Sequence, residues 1–155
     1  MTEGKHFAVI KLPKLEWPKS LSAPSPRFRL FVAADVTAVS ADVLSKFSFD
    51  ALNSGMVYFC AWGNGCERFH DIVDEILVED DLAEKRFAGP NENDVVMTTW
   101  HDHDSLEDAL DFFVSCAMPI DGFVTNSDFR LVVCCDDPQW AENARTFMKA
   151  ATFSM

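Results

Sequence analysis

Apolar positions along this chain switch repeatedly between a period of two and a period near 3.6. Arg27–Val36 (RFRLFVAADV) begins with alternation and closes as a continuous apolar run, which suits a strand covered on both faces. From Ser40 the spacing becomes helical. Val43, Leu44, Phe47, Ala51 and Leu52 share one stripe, with Ser40 as N-cap and Gly55 as a left-handed C-terminal cap. Met56–Trp62 (MVYFCAW) reads as a second buried strand and Gly63-Asn64-Gly65 as a tight turn. Phe69, Ile72, Val73, Ile76 and Leu77 then form the stripe of a second helix, with Asn64 as its cap and Glu67 in the capping-box position. Residues 79–93 are polar and contain Gly89-Pro90, which predicts a long loop with room for an extra helical turn.

Asp94–Trp100 (DVVMTTW) reads as the third strand, and His101-Asp102-His103-Asp104 follows it directly. Asp104 or Ser105 caps a third helix built on Leu106, Ala109, Leu110, Phe113, Val114 and Ala117. Residues 118–128 are irregular, and Phe129–Cys135 (FRLVVCC) is the fourth strand. Asp137-Pro138 opens a last helix whose stripe is Trp140, Ala141, Ala144, Phe147, Met148 and Ala151.

This alternation predicts an α/β fold: a compact Rossmann-like or flavodoxin-like sandwich with a four-stranded, mainly parallel sheet and helices on both faces. Right-handed crossovers leave few topologies, and the order 2-1-3-4 is the expected one. Residues 27–155 form the single domain in this reading. Residues 1–26 carry Pro13, Pro18, Pro24 and Pro26 with Lys5, Lys11, Lys14 and Lys19, and read as an extended basic arm. Within it His6–Lys11 (HFAVIK) is a candidate extra edge strand.

Composition narrows the setting. Fourteen Phe supply a full core. The five Cys give no even disulfide framework, no secretory signal precedes them, and Cys60, Cys134 and Cys135 lie in strand-like runs, so a reduced cytoplasmic protein is expected. No apolar run reaches the roughly 20 residues of a membrane span. The net charge of −12 is unevenly placed, because residues 64–111 hold 15 acidic residues against Arg68, Lys85 and Arg86. Such a surface argues against nucleic acid. It permits a basic protein partner or a hard cation, a solvated, solubilising surface being the plain alternative, and the basic arm could lie on the acidic face of its own domain or of a second copy.

A parallel sheet places every C-terminal strand end on one edge, where ligand sites of α/β proteins gather. Those ends carry Asp35, then Trp62 to Cys66, then Trp100 to His103, then Asp136-Asp137. One chemical reading is a metal centre. Cys66 and His70 are four apart on one helix face, and His101 and His103 share a side of an extended segment. This set suits zinc or another divalent transition metal, with Glu67 or Asp102 as general base to a bound water. The spacings match no paired C-x-x-C signature. A second reading makes Cys66, in the first helical turn, a nucleophile assisted by His70, although it has neither a redox C-x-x-C nor a C-x5-R loop. Gly63-x-Gly65 lacks the third glycine of a dinucleotide fingerprint, and no phosphate-binding loop is present. Asp102-x-Asp104 could hold Mg²⁺, but helix capping is the preferred role for Asp104 and Asp137. The binding reading needs no cofactor. It uses Asp35, Asn64, Trp62 and Trp100 as a rim beside an acidic helix face of Asp74, Glu75, Asp80 and Asp81.

Two function classes follow: a small acidic protein-binding or regulatory module, and a metal-assisted hydrolase on the Cys/His set. The run W-G-N-G-C-E-R-F-H-D-I-V-D-E (Trp62–Glu75), followed by M-T-T-W-H-D-H-D-S-L (Met97–Leu106), resembles a family of small bacterial proteins of unknown function with the pattern W-G-x-x-C-E-R-x-H-D-x-x-D-E. The resemblance covers about Arg27 to the C-terminus and leaves the arm outside. It implies a bacterial cytoplasmic origin and marks Cys66, Glu67, Arg68, His70, Asp71 and His101 for testing.

Overall fold

The computed structural model describes residues 2–3, 6–19, 21, 25–87, 89, 94–123 and 127–154. Six strands form one sheet: β1 (Thr2–Glu3), β2 (Phe7–Lys11), β3 (Phe28–Ala33), β4 (Met56–Trp62), β5 (Met97–His101) and β6 (Phe129–Cys134). Their order is β1-β2-β6-β3-β4-β5. The five strands from β2 to β5 are mutually parallel, and β1 pairs antiparallel with β2 at one edge. Four helices join them: α1 (Ala41–Asn53), α2 (Cys66–Leu82), α3 (Leu106–Ser115) and α4 (Pro138–Ser154).

The α/β class matches the expectation, but the strand order does not. The fourth strand of the sequence, β6, lies beside β3, and the third, β5, lies outside β4. The reason is the division of helices between faces. One apolar cluster joins α1 and α2 to residues of alternate parity such as Leu30, Phe59 and Leu131. The other joins α3 and α4 to Phe31, Cys60 and Val132. The chain steps from β3 to β4 to β5 with its connections on the first face, then returns past both strands through α3 on the second. This partition is what right-handed crossovers require when the return comes after β5. A signal was present in the residues. β3 and β6 are buried at every position, whereas Met97-Thr98-Thr99-Trp100-His101 is polar and only partly covered, as an edge strand is.

The N-terminal segment is also more integrated than a separate arm. His6–Lys11 was expected as an edge strand, yet β2 runs parallel beside β6, covered on its outer side by β1. Leu15 and Trp17 are buried in the core of the α1/α2 face. Trp17 stacks on Phe28 and meets Phe47 edge-on, so this stretch crosses the sheet as a connection between β2 and β3.

Local capping follows the sequence at three of four helix starts. The Ser40 side chain accepts from the Val43 N–H at 3.2 Å, Ser105 from Asp108 at 3.1 Å, and Asp137 from Gln139 at 2.8 Å. At α2 the expected Asn64 cap is absent: the N-cap is Gly65, in the left-handed region, with no side-chain bond. α2 also runs on to Leu82, into the stretch expected as loop. The Asp80 carboxylate ends it by accepting the N–H groups of Arg86 at 2.9 Å and Phe87 at 3.0 Å.

Candidate functional site

The C-terminal strand ends do gather on one edge, but side-chain direction splits the expected cluster. Register explains the split. Trp62 on β4 pairs with His101 on β5, and Ala61 with Trp100. Trp62 and Trp100, each the last strand residue in the sequence reading, are therefore one position out of step and point to opposite faces. Trp62 lies on the α3/α4 face. Its ring meets Trp140 edge-on at 5.1 Å, and its indole N–H donates to the Asp104 carbonyl at 2.9 Å. Trp100 lies on the α2 face, 41 % exposed, with its ring 4.5 Å from that of His70. The two do not form one rim.

The histidines are divided in the same way. His70 is buried on α2 and bridges to β5: its Nε2 shares a 2.9 Å hydrogen bond with Thr98 Oγ1 and lies 3.3 Å from Asp74, and its Nδ1 is 3.0 Å from Asp71. The Thr98 hydroxyl donates to Asp74 at 2.6 Å, which closes the network. His101 faces α3, against Phe112, with Asp104 at 2.9 Å and Thr99 at 3.3 Å. His103 is exposed and lies 3.6 Å from Asp102. Thr98 joins the His70 network from β5, and no local pattern in the polar run Met97–His101 distinguishes it from the neighbouring Thr99.

Cys66 sits where α2 begins, only 2 % exposed, packed beneath the end of β5. Burial pushes its thiol above the ordinary value, while backbone N–H groups of His101, Cys66 and Glu67 pull the other way. It plugs a helix-to-strand junction and is shielded from solvent. Glu67 and Asp102, the proposed bases, are exposed. Among the described residues no group of three or more His, Cys, Asp and Glu side chains converges as metal ligands would.

Asp35 and Asn64 meet elsewhere on the same edge. Asp35 Oδ1 accepts the Thr37 hydroxyl at 2.7 Å and its N–H at 3.1 Å, and Asn64 Nδ2 approaches Oδ2 at 3.5 Å. These bonds, the Thr37 hydroxyl first, hold the carboxyl below its ordinary pKa. The Asp35 N–H in turn donates to Asp136 Oδ2 at 2.8 Å. Arg68 secures this loop from α2, donating to the Val36 and Val39 carbonyls at 3.0 and 2.7 Å. Asp74 is tied into the His70 network, Glu75 and Asp81 are exposed, and Asp80 is spent on ending α2.

A family model described as a domain of unknown function (DUF7684) matches residues 8–151. The chain belongs to that family. No curated protein and no solved structure matches it. The DUF7684 match begins at residue 8, so β2 and the crossing segment that the resemblance left outside belong with the rest of the domain. No described helix of the DUF7684 domain is long and apolar enough to cross a membrane.

The cysteines of the DUF7684 domain carry a direct prediction. All five are free, and only Cys116 is exposed. Burial pushes the Cys60, Cys134 and Cys135 thiols up to about 12. A disulfide reagent at neutral pH should therefore titrate one thiol rapidly in the native protein and five after denaturation. Rapid modification of a second thiol that disappears in Cys66→Ser would reopen the nucleophile reading.

Proposed function

We propose that this domain is a small protein-binding module whose acidic end receives a basic, extended segment of a partner protein, added as a strand to β5. The observation that carries the reading is the coincidence of an open sheet edge with the acidic part of the chain. Among the described residues β5 pairs with β4 alone, and it bears no lysine, proline or bulge to blunt its free side. Trp100 stands exposed on it, with Val78 59 % and Leu82 82 % exposed on neighbouring α2. Glu67, Asp71, Asp74, Val78 and Asp81 recur at three- and four-residue spacing on the side of α2 that reaches Thr98. Exposed Glu107, Asp108 and Asp111 on α3 add acid on the opposite face.

Such an edge recognises backbone through ladder hydrogen bonds and side chains through alternate pockets. A second copy pairing β5 to β5 would bring two acidic α2 helices together, so charge favours a basic partner over self-association. Five free thiols fit a reducing cytoplasm as the setting. The hydrolytic alternative has no comparable support, since its four candidate ligands sit in separate surroundings.

The test is fluorescence anisotropy with a labelled peptide of alternating valine and lysine, and the same peptide N-methylated at alternate residues. Trp100→Ala and the triple reversal Asp71→Lys/Glu75→Lys/Asp81→Lys should each weaken binding about tenfold or more, equivalent to ~1.4 kcal/mol. The N-methylated peptide should not bind. Equal binding of both peptides would reduce the interaction to unspecific charge attraction and overturn strand addition.

A further inference from the structure

A crevice of about 480 Å³ opens at the C-terminal ends of β3 and β6, separated from the edge strand β5 by β4. The chain leaves β3 toward α1 on one face and leaves β6 toward α4 on the other. Neighbouring parallel strands whose connections part in this way create the switch-point cleft where α/β domains bind small ligands. The volume lies in the range of small-molecule sites.

The lining is specific enough to name a ligand class. Leu15, Trp17, Val43 and Phe47 supply apolar walls, and Trp17 is held rigid by its contacts with Phe28 and Phe47. The charged lining is four acids against two lysines. Lys14 already pairs with Glu16 at 3.2 Å and Lys46 with Asp50 at 3.0 Å. The surplus is Asp35 and Asp136, held side by side by the 2.8 Å bond from the Asp35 N–H to the Asp136 carboxylate. Two carboxylates at the mouth of the cleft, with no glycine-rich loop, repel a phosphate and attract a cation.

We infer that this crevice binds a small primary amine carried on an aromatic or branched apolar body, with the ammonium on Asp35 and Asp136 and the body against Trp17. Size, apolar wall and charge surplus each select that class: a bare metal ion would leave the wall unused, and an acid would meet the carboxylates. The inference is independent of the β5 reading, because the two surfaces share no residue.

The test follows the Trp17 indole N–H resonance of the full ¹⁵N-labelled chain during titration with 2-phenylethylamine and, separately, phenylacetate. The amine should shift that resonance saturably below about 10 mM, the scale of a weak fragment, and phenylacetate should not. Asp136→Asn should weaken the amine at least tenfold. Val43→Arg, at an exposed helix position on the crevice wall, should block it while leaving the remaining resonances in place, which guards against loss of fold in the first variant. Equal shifts with phenylacetate, amine binding unchanged in both variants, or no saturable shift would each overturn the assignment.

Discussion

Gly63→Ala is expected to abolish or nearly abolish the native state. Gly63 follows β4 with φ at +113°, a backbone conformation that L side chains rarely adopt. A Cβ there would lie 2.1 Å from the Ala34 carbonyl oxygen and 2.9 Å from its carbon. Both are backbone atoms at the end of β3, and the adjoining Ala34 N–H is bonded to the Trp62 carbonyl at 3.1 Å. Neither partner can move without opening the central β3/β4 pair. We expect a loss above about 4 kcal/mol, beyond the usual range for point changes. Gly65→Ala is the control. Its φ is +83°, and the nearest atom is a side-chain methyl, Val36 Cγ2 at 2.8 Å, so a loss of about 1–3 kcal/mol is expected. Urea unfolding followed by circular dichroism measures both. A Gly63→Ala midpoint equal to that of the parent would show that the close approach of the two strand ends is wrong.

Arg29→Ala should cost about 3–5 kcal/mol, the sum expected of a core void and two carbonyls left without their donor. Arg29 is 2 % exposed near the start of the apolar strand β3. Its guanidinium donates to the Ser127 carbonyl at 2.9 Å and the Ala117 carbonyl at 3.2 Å, and lies 3.7 Å from Asp128. Arg130 sits beside it in register on β6 and donates to the Val114 carbonyl at 3.2 Å. The pair thus fastens the end of α3 and the segment after it to the sheet, where cations meet the negative end of the helix dipole. Burial first, then Arg130, lowers the Arg29 pKa, and Asp128 opposes the shift. The charge is therefore held at a cost that the carbonyl bonds offset. Truncation leaves those carbonyls without their donor and opens a void. Arg29→Met fills the space and relieves the repulsion with Arg130, so it should be milder than alanine. Arg29→Lys keeps the charge without the fork that spans two carbonyls, and should not restore full stability. A loss below about 1 kcal/mol for alanine, measured by the same unfolding curves, would contradict the fastening role.

Local chemistry determined much of this protein from the sequence alone. The alternation of periods located four of the helices and the strands between them. The caps at Ser40, Ser105 and Asp137 formed because a short polar side chain needs only the next turn of backbone to find its partner. The parallel character followed from helices lying between strands, and with it the gathering of loop residues at one edge. Phe28-Arg29-Leu30 and Phe129-Arg130-Leu131 repeat one pattern in two apolar strands, and this repeat is the legible mark of the paired buried arginines.

Tertiary structure decided what depended on neighbours distant in the chain. Strand order rests on which face each helix covers, and the periodic stripe of a helix is the same on either face. The separation of Trp62 from Trp100 rests on a register offset of one residue, which reverses side-chain direction in a period-two element, and the same register turns His101 to the face opposite α2 and its His70. Asn64 left its capping role because Asp35, on another strand end, lay within reach and Gly65 took the cap position. The crevice beside Asp35 and Asp136 exists because residues 13–17 cross the sheet to form its wall. Those residues lie well over a hundred positions from Asp136, and no local pattern encodes their meeting.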